Sequence, residues 1–175
     1  MEKFILGLLL ICFSCQKVDD YSVFIIHKGD HYCSHAVSQS CGSSINFAFC
    51  IDESWYYPKQ TTPGINKVIG ISDGSNHMKY SVRLGWQCID GRIHLYNYCH
   101  TGDKDKHEAK ELGVFSSGWH TGRVTINSDN YAVEVDGISN TITKDHEPGS
   151  YHLLYPYFGG VEYAPHDVKL EIKLN

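Results

Sequence analysis

The sequence predicts an all-β protein, an antiparallel sandwich of two sheets, and three observations carry that prediction. Short runs rich in β-branched and aromatic residues recur along the 175-residue chain, bounded by Gly, Pro, Asn and Asp, and no convincing amphipathic helix interrupts them. Two Asp-Gly dipeptides, Asp90-Gly91 and Asp136-Gly137, each join a pair of such runs. A two-residue Asp-Gly loop favours a type I′ turn, because Gly tolerates positive φ and the turn's twist matches that of the flanking strands. The composition, with 12 Tyr against 2 Met and 42% hydrophobic residues, suits half-buried pleated strands and supplies a core for one domain.

The elements follow in order. Residues 23–27 form a short apolar strand closed by Lys28-Gly29-Asp30, and residues 45–51 form a second. Residues 55–64, with Pro58 and Pro63, read as a loop. A strand over 67–72 ends in the turn Asp73-Gly74-Ser75-Asn76. Two long strands then meet at Asp90-Gly91, and Ile89 opposite Arg92 fixes their register. Gln87 faces His94, Gly85 faces Tyr96, Arg83 faces Tyr98 and Ser81 faces His100 on one side of the ribbon. Cys88 with Ile93, Trp86 with Leu95, Leu84 with Asn97 and Val82 with Cys99 make the other, which is the side to bury.

Residues 102–110 are charged and solvated, and they hold the one piece of sequence with a helical leaning. Strands follow over 112–115, 123–127, 131–135 and 138–143. The turn at Ser128-Asp129 sets Ile126 against Tyr131 and Val124 against Val133, and Asp136-Gly137 sets Val135 against Ile138. Residues 151–155 and 168–174 complete about ten strands, the last with Val168, Leu170, Ile172 and Leu174 on one side.

The N-terminus reads as a processing segment. Lys3 gives a weak basic end, residues 4–13 are an apolar run too short to span a bilayer comfortably, and Ser14 precedes Cys15. This resembles a bacterial lipoprotein signal over 1–14, with Cys15 as the acylated first residue, although Glu2, Cys12 and Phe13 depart from the usual pattern. An ordinary secretory signal is the alternative. Residues 15–21, with Asp19 and Asp20, resemble the acidic tether of Bacteroidota surface lipoproteins, and residues 22–175 form a single domain. The expectation is an exported protein at the outer membrane or cell surface, held to the membrane by its lipid alone.

Seven cysteines are present, and setting aside Cys12 and Cys15 leaves Cys33, Cys41, Cys50, Cys88 and Cys99. The hairpin register holds Cys88 and Cys99 about 20 Å apart along the ribbon, so they cannot bond to each other. Disulfides through Cys33, Cys41 or Cys50, and five free thiols, both remain open. The formal charge of -5, with no basic run, argues against nucleic acid as a partner.

Several blocks of the chain resemble a known type. Gly29-Asp30-His31-Tyr32, Asn66-Lys67-Val68-Ile69-Gly70, Ser81-Val82-Arg83-Leu84-Gly85-Trp86, Tyr155-Pro156-Tyr157-Phe158-Gly159-Gly160 and Ala164-Pro165-His166-Asp167 are similar to landmarks of uncharacterised bacterial domains of concanavalin A-like jelly-roll type. The resemblance implies a fold whose concave sheet mostly handles glycans, and it names no reaction.

Arg83, Gln87, His94, Tyr96 and Tyr98 on the exposed hairpin face are therefore the candidate carbohydrate-binding residues, with Tyr157 entering the same face and Gly85 keeping its floor low. A polysaccharide lyase acting on an acidic glycan is the enzymatic alternative. It would use Arg83 to neutralise a uronate carboxylate and His94 and Tyr98 to move protons, with His77 or His100 as further candidates. A structural or protein-interaction module is the third reading. A retaining glycosidase is disfavoured, because its Glu-x-Asp-x-x-Glu strand is absent and Asp136 of Glu134-Val135-Asp136 belongs to a turn.

Eleven His residues do not assemble a metal motif, since the His31 and His35 spacing aligns ligands only on a helix. No cofactor is expected. Calcium through Asp73, Asp103 or Asp105 lacks any supporting spacing.

Overall fold

The computed structural model describes residues 21–33, 39–58, 64–102, 107–147 and 149–175. These contain β1 (Ser22–Ile26), β2 (Ser44–Ile51), β3 (Asn66–Asp73), β4 (Tyr80–Ile89), β5 (Arg92–Thr101) and β6 (His107–Phe115). They continue with β7 (Gly118–Ile126), β8 (Asn130–Val135), β9 (Ile138–Thr143), β10 (Tyr151–Leu154) and β11 (Val168–Leu174), and a short 3-10 turn spans Glu53–Trp55. One sheet has the order β1-β11-β2-β7-β8-β9 and the other β10-β3-β4-β5-β6. Neighbouring strands within each sheet run antiparallel.

The β4–β5 hairpin adopts the register that its turn dictates, from Ile89 opposite Arg92 to Ser81 opposite His100. Asp90 at φ 48 and Gly91 at φ 70 supply the two left-handed residues of a type I′ turn, and Asp136 and Gly137 repeat this at φ 49 and 82. Val82, Leu84, Trp86, Cys88, Ile93, Leu95 and Cys99 point between the sheets and are buried. They meet Phe47, Phe49, Val124, Tyr131 and Val133 of the opposite sheet in one core. Trp55 caps one end of it, 4.7 Å from Trp86 between ring centroids, and its indole N–H donates to the Lys169 carbonyl at 2.9 Å. Asn97, the polar residue on the buried side, donates to the carbonyls of Tyr131 and Asn140, so its burial is compensated.

The structure departs from the sequence reading in three places. The charged stretch before residue 112 is strand rather than helix from His107 onward, because β5 would otherwise present an unpaired edge, and edge strands tolerate Lys and Glu on their exposed positions. Residues 103–106, including Asp103 and Asp105, lie outside the described residues, as do residues 1–20 with Cys15, and also His35 and Pro63. Leu174 is half-exposed at the end of β11 instead of joining the core. The third departure concerns β3, where Lys67 pairs with Gly85 but Ile69 pairs with Leu84, so Val68 is the extra residue of a bulge.

Cys41, Cys50, Cys88 and Cys99 are free thiols, and Cys33 is buried. Asp73 is engaged within the fold. Its carboxylate accepts from Lys144 Nζ at 3.0 Å and from the Gly149 N–H at 2.8 Å, with His146 Nε2 2.9 Å away. Asp136 ties its turn to β7 by accepting from the Thr121 N–H.

Candidate functional site

The outer face of the five-stranded sheet carries a cavity of about 760 Å³. Its floor comes from β3, β4 and β5, which contribute Lys67, Ser72, Arg83, Tyr98 and His100. One wall is β10 with the segment 155–160, bringing His152, Tyr155 and Tyr157, and Tyr32 and His77 stand at its margins.

Arg83 is in the floor because β4 alternates, and it lies over β3 because its register partner is Gly70. A Cβ on Gly70 would fall 2.6 Å from Arg83 Cγ and 2.2 Å from the Val82 carbonyl oxygen, so only glycine leaves room for the arginine stem. Lys67 stands where the bulge begins. Its ammonium donates to the Gly159 carbonyl at 3.2 Å and lies 4.5 Å from the centroid of the Tyr98 ring and 5.4 Å from that of Tyr157. Tyr157 is anchored by bridges to both Lys67 and Tyr32, and Gly159 at φ 70 turns the chain back over the cavity.

Arg83 and Lys67 are both buried, and no carboxylate lines the cavity among the described residues. Burial, with the Arg83 charge beside it, brings Lys67 down to about 7. Burial lowers Arg83 to about 10, partly offset by Tyr98 and Tyr157. Burial and then Arg83 bring His100 down to about 4, so its imidazole is neutral at pH 7. His77 is lowered by the same two causes, and burial raises Tyr98 and Tyr157. The Tyr98 hydroxyl lies 3.4 Å from His100 Nε2, while Arg83 Nε and His100 Nδ1 are buried without a hydrogen-bond partner among the described residues.

The six sequence-selected residues are divided by this geometry. Arg83, Tyr98 and Tyr157 line the cavity. Gln87 instead donates to the Gly64 carbonyl at 3.0 Å and ties down that loop. His94 Nδ1 is 2.7 Å from Glu111 on β6, and Tyr96 is opposite the same glutamate. His94 stands four residues along the ribbon from Tyr98, about 13 Å at strand rise, and lies outside the cavity. Gly85 is no open floor, since a Cβ there would meet Ile65 Cγ2 at 2.5 Å.

Lys67, Tyr32 and His152 escaped the sequence reading. The available signal for Lys67 was a lysine abutting the uninterrupted apolar run of β3. In an all-buried strand such a residue has to be explained by a partner or a site.

The described residues form a concanavalin A-like jelly roll. Similar solved structures include an alginate lyase from Zobellia galactanivorans, at a TM-score of 0.60 and 9% identity over 89% of this chain and 76% of that one. A family 16 glycoside hydrolase endo-glucanase from Bacteroides ovatus matches at 0.52 and 11% identity, covering 89% and 80%. An alginate lyase from Chlorella virus matches at 0.52 and 14% identity, covering 88% and 82%. Neither a protein-family model nor a curated protein sequence matches the chain. At these identities the likeness is one of fold.

No group of three or more His, Cys, Asp or Glu among the described residues is placed to hold a metal ion. His146 is engaged with Asp73, and His166 Nε2 with the Ser54 carbonyl.

Proposed function

We propose that this protein binds an acidic polysaccharide in the cavity of its five-stranded sheet. The observation that carries the reading is the pair of buried cations, Arg83 and Lys67, in a cavity with no carboxylate among its described lining residues and beside the rings of Tyr98 and Tyr157. Two desolvated cations without internal counterions are costly, and an anionic ligand would relieve that cost. The planar guanidinium suits a carboxylate or a sulfate, and the tyrosine rings suit the faces of sugars. An alginate lyase and an endo-glucanase among the similarly folded proteins agree with this reading. The absence of Asp and Glu from the described lining is at odds with a two-carboxylate glycosidase.

A second reading, a polysaccharide lyase, is favoured by one observation, the neutral imidazole of His100 beside the Tyr98 hydroxyl and next to Arg83. Arg83 would hold the uronate carboxylate and so acidify the adjacent C5–H. A base from the His100–Tyr98 pair would take that proton while C4=C5 forms and the C4–O4 bond breaks, and the leaving oxygen would be protonated in turn. His100 thereby replaces His94 in the proton-transfer role.

We further propose export and acylation at Cys15, which the Ser14-Cys15 sequence and the following acidic tether support. Loss of the protein from the membrane fraction in Cys15→Ala tests this.

Isothermal titration with uronate, sulfated and neutral polysaccharides tests the principal reading. Binding of an anionic polymer that Arg83→Ala abolishes supports it, and binding of neutral polymers alone would overturn it. Failure to bind any of them would leave the structural-module reading. Growth of near-ultraviolet absorbance from the new double bond, lost in His100→Ala and Tyr98→Phe, distinguishes the lyase.

A further inference from the structure

At the mouth of the cavity the rings continue outward. Tyr157 has the Lys67 ammonium 5.4 Å from its centroid, and His31 stacks on it at 5.3 Å with an interplanar angle of 5°. Tyr163 lies 4.3 Å from His31, and Tyr32 meets the edge of Tyr157 at 5.1 Å. The inner rings are fixed. His31 Nδ1 is 2.9 Å from the Phe158 carbonyl, Tyr32 bridges Tyr157, and the two loops are joined by hydrogen bonds from Phe158 N to His31 O, Ala164 N to Asp30 O and Gly29 N to Ala164 O.

The outer rings are open, with Tyr32 68% and Tyr163 61% exposed. Each packs against one neighbouring ring, Tyr163 on His31 and Tyr32 on Tyr157, and leaves most of its surface to solvent on a hydrogen-bonded frame. Large rings of this kind offer rigid contact area with little entropy to lose on binding.

We propose that Tyr32 and Tyr163 form an uncharged stacking subsite for a pyranose ring of the same polymer whose anionic group is held by Arg83 and Lys67. This rests on the acidic-polysaccharide reading and adds to it a direction, from the cavity floor past Tyr157 to the 157–165 loop, and a minimum ligand longer than one sugar. The cavity selects for charge and the platform for chain length.

The test is a length ladder of oligouronates, from disaccharide to hexasaccharide, titrated into the wild type, Tyr32→Ala, Tyr163→Ala and Tyr32→Phe. The wild type should bind longer members more tightly. Both alanine variants should lose about tenfold on the hexasaccharide and little on the disaccharide, as expected for one stacked ring. Tyr32→Phe should keep the wild-type length dependence, because the ring and not the hydroxyl makes the contact. Near-ultraviolet circular dichroism checks that the variants remain folded. Equal losses at every length, unchanged affinities in both alanine variants, or a Phe variant as weak as the Ala one would overturn the platform alone. Absence of wild-type binding to every member, where Arg83→Ala also changes nothing, would overturn the underlying reading as well.

Discussion

Lys67→Met should stabilise the protein near neutral pH, although it deletes a buried charged side chain in the cavity. Lys67 has its value lowered from 10.5 to about 7, first by burial and then by the Arg83 charge. The groups facing it are Arg83 on β4, Tyr98 and His100 on β5, and Tyr157 on the 155–160 segment, none of them a carboxylate.

A depressed lysine penalises folding wherever the unfolded chain is protonated. The penalty is absent above the unfolded value, grows as pH falls from 10.5 toward 7, and is constant below. That interval corresponds to about 5 kcal/mol at 1.36 kcal/mol per pH unit. Methionine has a similar stem but loses the hydrogen bond to the Gly159 carbonyl, worth about 1 kcal/mol, and the contact with the Tyr98 ring, worth about 1 kcal/mol more. A net gain of about 3 kcal/mol at pH 6 is expected, shrinking to nothing or reversing by pH 10.5.

Urea denaturation of both proteins at pH 6, 8 and 10 measures this. A variant less stable than the wild type at pH 6, or a gain that does not change between pH 7 and 10, would refute the claim that Lys67 is an uncompensated buried amine. The same titration governs binding. Affinity for an anionic glycan should fall as pH rises through about 7, as Lys67 loses its proton.

Three further outcomes follow from the geometry. Asp73→Asn should cost about 3 to 5 kcal/mol, since it strands the fully buried Lys144 ammonium, and adding Lys144→Met should restore most of it by thermal denaturation. Burial alone would raise Asp73, but the Gly149 N–H, Lys144 and His146 hold it below the usual carboxylate range. Its contribution is therefore present above about pH 4 and is lost as pH falls further, so acid unfolding should begin at higher pH in Asp73→Asn only if another carboxylate is responsible. Gly70→Ala should weaken glycan binding and cost about 1 to 3 kcal/mol, because its methyl group occupies the space of the Arg83 stem. Unchanged binding would show that Arg83 can move aside. Under native conditions a thiol reagent should label the partly exposed Cys41 and Cys50 well before the buried Cys88 and Cys99, as followed by mass spectrometry. Fast labelling of Cys99 would contradict the sheet register.

How much of this was legible beforehand can be judged from particular residues. Asp90-Gly91 placed every pair of the central hairpin, since a two-residue turn leaves no freedom of register and the alternation of Trp86 and Leu95 with Arg83 and Tyr98 declares which face is buried. The same logic aligned β7, β8 and β9. It reached only residues 112–115 of β6 and could not see its charged first part, 107–111, whose residues carry no strand signal and pair only because β5 needs a partner.

For the candidate site, local alternation put Arg83, Gln87, His94, Tyr96 and Tyr98 on one face, and that is all periodicity can do. Which part of the face becomes a cavity depends on segments remote in sequence. The 155–160 segment walls the Arg83 end, Ile65 fills the space over Gly85, and Glu111 holds His94 away from the site. The bulge at Val68 sits beside Lys67, and bulges arise from the match between two strands rather than from either one. The sequence by itself thus determined the sandwich and the facing of its side chains, because turn chemistry and a period of two act over a few residues. Only the tertiary structure decided that Lys67 joins Arg83, and that His100 lines the cavity while His94 lies outside it, because burial and the absence of a counterion from the described lining are properties of packed chains.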